Sequence, residues 1–304
     1  MSLTSVFLTA QVRRKVTELP VPVTAVLLAA TLGGLAGCSS EPSSSSSSPQ
    51  NQSGGLGHIH GVGVDPGDGA VYIASHVGLF RVKDDEPPAR VGPARDVMGF
   101  TVTGPGAFLA SGHPGMEEKA DSPHLGLQVS DDAGQTWTHV SEAGRADFHA
   151  LATAGPTLYT FDSLSERVRR SVDGGKTWVV GSRLPALDLA AHPSKPDQVW
   201  AATTSGVQRS SDGGQTFTPV AGSPPLVAIE QPASELLTGV LASGEVLRAS
   251  TKDTNWTRAG SVPGEPVTAF GVAGERTLLV ATMQGVYRSD DAGATFRLLS
   301  GTAA

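Results

Sequence analysis

The chain has 304 residues, with 22 lysines and arginines against 29 aspartates and glutamates, a formal net charge of −7. That acidic balance, with no basic cluster in the body of the chain, argues against a nucleic-acid partner. A single cysteine, Cys38, rules out an internal disulfide and a thiolate metal cluster.

The N-terminus reads as an address. Arg13, Arg14 and Lys15 form a short basic run, and Val21 to Ala36 is apolar and rich in small residues. A basic run, a short apolar run and small residues before a cut describe a secretory signal. The apolar run falls at or just below the length of about 17–25 residues that spans a bilayer. An uncleaved anchor helix is the alternative. The ending "LAGC", Leu35 to Cys38, resembles the lipobox of bacterial lipoproteins. That resemblance implies cleavage before Cys38 and lipid on its sulfur, hence an extracytoplasmic chain held at a bacterial membrane. Removing residues 1–37 takes away three basic groups and one acidic group, which moves the formal balance to −9. Residues 38–57 are rich in serine, proline and glycine, with too few apolar groups to fold, and read as a tether. The folded body is then 58–304, long enough for one large core.

That body repeats about every forty residues. Four segments share Ser-x-Asp-x-Gly-x-Thr-aromatic: "SDDAGQTW" from Ser130, "SVDGGKTW" from Ser171, "SSDGGQTF" from Ser210 and "SDDAGATF" from Ser289. Their central acids are Asp132, Asp173, Asp212 and Asp291. A worn copy, "STKDTNW", fills the long gap before the last, and another upstream places Asp84 opposite Asp212. Serine and aspartate side chains bond nearby backbone amides in tight turns, and glycine supplies positive φ. The segments resemble Asp-boxes, also called BNR repeats, of sialidases and sortilin-type receptors. The resemblance implies a structural turn away from the active face. Short alternating strands between regular turns predict an all-β fold, a six-bladed β-propeller. The blades start near residues 58, 97, 147, 186, 225 and 265, each from consecutive residues; seven blades is the alternative.

In such a fold the loop before each first strand and the loop between second and third strands share one face. Six of the eight histidines map there, all in blades one to three: His58 and His60 in "GHIHGVGV", His76, His113, His124 and His149. His113 and His124 bracket an insertion holding Met116, Glu117, Glu118 and Asp121. Met98 aligns with His60 and His149, and Met283 aligns with His76. Histidine is a common ligand for zinc and copper, and thioether tilts the choice toward copper. The candidate ligands are therefore His58, His60, His76, His113, His149 and Met98, with His124, Met116 and Met283 behind them. The competing readings are a polar rim that merely bonds loops together and a catalytic role. His192 falls on the opposite face and reads as an exposed turn residue.

Asp-boxes also suggest sialidase chemistry, but the sequence has no Arg-Ile-Pro segment, and Tyr72, Tyr159 and Tyr287 sit inside strand patterns. The inner face offers Asp96, Asp147, Asp162 and Asp188; Asp162 and Asp188 are the candidate catalytic acids. Over the lipobox and residues 58–300 the chain resembles bacterial BNR-repeat lipoproteins with a His-x-His-Gly opening, often labelled glycosylhydrolase or sialidase-like. A label inherited from fold does not establish an activity. The expectation is a monomeric, membrane-anchored propeller that binds copper or zinc. Glycoside hydrolysis or glycan binding, and a protein-assembly scaffold, are the alternatives.

Overall fold

The computed structural model describes residues 55–83 and 86–301. The expected signal segment, Cys38, most of the tether and Asp84 lie outside them.

The described residues form an all-β, six-bladed propeller. Each blade is a four-stranded antiparallel sheet whose strands follow one another in chain order. The first strands are Ile59–Val64, Asp96–Gly104, Phe148–Ala154, Asp188–Ala191, Ala228–Ala233 and Val267–Ala273. These starts agree with the expected blade starts to within a few residues. No strand is exchanged between blades, so the ring closes by packing.

Six apolar clusters fill the six junctions between blades. Tyr72 and Leu79 of blade one meet Phe108 of blade two, and Trp200 of blade four meets Ile229 of blade five. Closure is made by Ile59, Val62 and Ile73 against Leu279, Ala281 and Val286. The aromatic residue that ends each box packs into a junction: Trp137, Trp178, Phe217 and Phe296 all border these clusters.

The four boxes are built identically. In the third, Asp212 Oδ1 accepts from Ser210 Oγ at 2.7 Å and from the Thr216 amide at 3.0 Å, while Asp212 Oδ2 accepts from Thr216 Oγ1 at 2.6 Å. Ser210 Oγ in turn accepts from the Gly214 amide at 2.9 Å. The two residues after each aspartate have positive φ, at 75° and 81° for Gly213 and Gly214. These bonds favour the ionised carboxylate and hold Asp212 down to about 2. All four aspartates are spent on the turn, which leaves chemistry to the other face.

Glycines let the innermost strands crowd the axis. A Cβ on Gly271 would stand 2.3 Å from the Val62 carbonyl oxygen, and one on Gly99 2.8 Å from that of Phe148. His192 differs from expectation. It is buried, because its Nδ1 accepts the Ser194 amide at 3.1 Å and folds the ring under its own turn.

Candidate metal centre

Three blades bring their first strands and second-to-third loops to one rim. In "HIH", Ile59 enters the closure cluster, and a register shift between Ile59 and Gly61 leaves His60 as the extra residue of a bulge. His76 arrives from the tight turn after Val71–Ser75, whose backbone is tied by the His76 amide bonding the His58 carbonyl at 3.1 Å. The three rings meet, with centroids 4.3 Å apart for His60 and His76 and 4.8 Å for His58 and His60. One nitrogen from each lies within 4.8 Å of the other two.

Asp96, at the start of the neighbouring first strand, faces this trio. Its Oδ1 lies 3.0 Å from His76 Nδ1 and 3.7 Å from His60 Nε2. Neither approach is a hydrogen bond: both Asp96 Oδ1 and His60 Nε2 are buried and without a hydrogen-bond partner. Burial, followed by the neighbouring His76, pushes the His60 imidazole down to about 4 against the opposing pull of Asp96. The ring is therefore neutral at pH 7, with a nitrogen lone pair to offer.

A second group stands beside the first. His113, His124 and Asp147 bring three ligand atoms within 4.8 Å of one another. His113 Nε2 is 3.5 Å and His124 Nδ1 4.0 Å from Asp147 Oδ1. Again His124 Nδ1 and Asp147 Oδ1 are buried and unpartnered. Asp147 Oδ2 is occupied, by His149 Nε2 at 2.9 Å and Ser163 Oγ at 2.6 Å. Burial raises the Asp147 carboxyl, but the His149 and Ser163 bonds outweigh it and hold the group down to about 2. The insertion between His113 and His124 is pinned rather than solvated throughout. Glu118 accepts from half-buried Arg95 at 2.6 Å, and the Leu125 amide bonds the Gly112 carbonyl at 2.9 Å.

The other sequence candidates fall differently. Met98 is half-buried in the same strand as Asp96, beside a register shift. Met116 and Met283 are exposed, at 106% and 55%. The donors that converge are imidazole and carboxylate. Asp162 is fully buried and saturated: it accepts from the Asp147 amide at 3.0 Å, from Arg169 Nη2 at 2.6 Å, and from Leu164 and Ser165. Its role is to hold the Asp147 loop.

Below the rim, an axial cavity of about 440 Å³ is lined by the first strands of all six blades, with His60 and His149 at its edge. Asp188 and Glu230 both face it. Asp188 Oδ1 and Oδ2 accept the Leu189 and Ile229 amides at 2.8 and 2.9 Å. Burial raises the Asp188 carboxyl to about 7 despite those amides, and burial plus the charge of Asp188 push Glu230 well above the carboxylate range.

Sequence reasoning placed Asp96 and Asp147 on the inner face and allowed an acid to close the histidine site without naming either. A signal existed. "DVM" and "DFH" stand opposite "HIH" in the blade repeat, so each acid occupies the place of His58. Glu230 gave no such signal.

The BNR/Asp-box repeat family matches residues 128–139, the first box. Comparison with curated proteins gives no match. Among solved structures, a GH74 enzyme of Niastella koreensis is similar at 17% identity and TM-score 0.59, over 81% of this chain and 45% of that one. The GH74 xyloglucanase of Xanthomonas campestris is similar at 17% identity and TM-score 0.53, over 81% and 45%. YCF48, solved bound to D1 peptide, is similar at 14% identity and TM-score 0.51, over 80% and 82%. The chain is a six-bladed β-propeller with a BNR/Asp-box motif. It spans less than half the length of the GH74 enzymes it resembles, and at these identities the likeness is one of fold.

Proposed function

We propose that this propeller binds a transition-metal ion through His58, His60, His76 and Asp96, at the mouth of the axial cavity, and that Cys38 anchors it outside a bacterial membrane. The observation that carries the metal reading is the pair of orphaned atoms, His60 Nε2 and Asp96 Oδ1, buried and facing one another at 3.7 Å. Buried polar atoms without a partner cost on the order of 1–3 kcal/mol each. A cation between them would satisfy both. Two ligands held about 2.0–2.1 Å from a tetrahedral ion stand about 3.4 Å apart. The 3.0 and 3.7 Å separations around Asp96 Oδ1 bracket that value. Neutral imidazole and carboxylate suit Zn²⁺ and Cu²⁺, and the exposed methionines lend no weight to Cu⁺. The test is elemental analysis of untagged full-length protein after exposure to zinc or copper. Retained ion that falls by at least one equivalent per chain in His60→Ala supports the reading; no retained ion, or binding indifferent to His60, removes it.

A second reading, glycoside hydrolysis, is favoured by one observation. Asp188 and Glu230 share a cavity, and a carboxyl still protonated near neutral pH is what a general acid requires. Its test is xyloglucan turnover that disappears in Glu230→Gln.

A further inference from the structure

Resting on the metal reading above, we infer that the rim holds two ions rather than one, the second at His113, His124 and Asp147, with His113 and Asp96 linking the two positions. Each group carries the same signature. One imidazole nitrogen and one carboxylate oxygen are buried and unpartnered: His60 Nε2 with Asp96 Oδ1, and His124 Nδ1 with Asp147 Oδ1. The ligand spacings of the second group, 3.5 Å from Asp147 Oδ1 to His113 Nε2 and 4.0 Å to His124 Nδ1, are slightly wider than the roughly 3.4 Å of a closed tetrahedral site. A small inward rotation of the His124 ring closes the difference.

Asp147 is prepared for one ligand bond. His149 and Ser163 both donate to Oδ2, which fixes the carboxylate plane and leaves Oδ1 bare toward His113 and His124. Metal-bound carboxylates and imidazoles are commonly held this way by hydrogen bonds to their far atoms.

His113 sits between two carboxylates. Its Nδ1 is 3.2 Å from Asp96 Oδ2, and its Nε2 is 3.5 Å from Asp147 Oδ1. A neutral imidazole has one N–H and one lone pair. If Nδ1–H donates to Asp96, the lone pair on Nε2 faces the bare oxygen of Asp147, and two electron-rich atoms confront one another. A cation between them turns that repulsion into two ligand bonds. Asp96 then serves both positions: Oδ1 toward the first ion, Oδ2 orienting His113 for the second.

The experiment is a titration of chelator-stripped, untagged full-length protein with Zn²⁺, read by calorimetry and by elemental analysis after gel filtration. Two equivalents are expected. His124→Ala and His58→Ala should each retain one, with the circular dichroism spectrum unchanged. Asp96→Asn should lose the first ion and weaken the second about 10–100-fold, the effect of removing an orienting hydrogen bond. One equivalent in the wild-type protein overturns the two-ion site: if it is indifferent to His124→Ala the single-ion reading stands, and if His124→Ala abolishes it the ion lies at the second group and the reading at His58, His60, His76 and Asp96 falls as well. No bound zinc overturns both. Because wild-type stoichiometry decides alone, a variant that fails to fold does not obscure the result.

Discussion

At the scale of single residues, the same side-chain chemistry serves opposite ends. Asp212 and its three counterparts each accept from the serine hydroxyl and from the threonine amide and hydroxyl of their turn, bonds that favour the ionised form. Asp188 and Glu230 lie in the axial cavity, where burial, and for Glu230 also the charge of Asp188, favours the protonated forms. The sign of the pH effect follows. A carboxyl raised from about 4 in the unfolded chain to about 7 in the fold binds more protons when folded. Its contribution is present in full below about pH 4 and is lost as pH rises toward 7. The axial pair should therefore make the propeller less stable at pH 8 than at pH 5. Glu230→Gln removes the repulsion without taking an acceptor from a backbone amide, and should flatten this part of the profile in urea unfolding at the two pH values. A variant whose stability falls as steeply as the wild type would show that Glu230 does not titrate in this range.

Residue types on the rim were legible in the sequence because a strand alternates faces and the repeat supplies the register. That was enough to put His58, His60, His76, His113, His124 and His149 on one side. Partnership was not legible. Whether Asp96 Oδ1 or Oδ2 meets a given imidazole depends on loop paths, although the register shift after Val97 recurs at the matching place in blades one, three and six. The partners of Asp162 were hidden for the same reason. Asp162 occupies the right loop, but Arg169 and the Asp147 amide absorb it. His192 looked exposed because its turn is polar; a local bond from the Ser194 amide folds it in.

At the scale of elements, the blade is fixed by its turns and spaced by its glycines. The box was fully readable, since serine, aspartate, glycine and threonine at those offsets satisfy one another. Crowding of first strands around the axis was not, because it depends on neighbours forty residues away or at the other end of the chain. Gly271 shows the consequence. Its missing Cβ makes room for the Val62 carbonyl across the closure between blades six and one. Gly271→Ala should destabilise the fold by about 1–3 kcal/mol, the usual cost of forcing an extra carbon into a filled site. Equilibrium urea denaturation measures it, and an unchanged midpoint would mean that the closure is looser than the packing indicates.

At the scale of the whole molecule, the ring divides labour between its faces. One carries the boxes, which brace the blades. The other gathers six histidines and two aspartates from three blades around the entrance to the axial cavity. The histidines are confined to half the rim, so the site is asymmetric although the scaffold repeats. Our proposal that Cys38 holds this body at a membrane is tested by mass spectrometry of the membrane-extracted protein: a chain that begins at Cys38 and carries acyl chains there is expected, and an unlipidated chain that keeps the apolar run before Cys38 would argue for an uncleaved anchor.

The most direct measurement is an anomalous diffraction map of metal-soaked crystals at the zinc or copper edge. The account predicts a peak about 2.0–2.1 Å from His60 Nε2, shared with His58, His76 and Asp96. An empty rim at saturating metal, or peaks only away from His58, His60, His76 and Asp96, would contradict it.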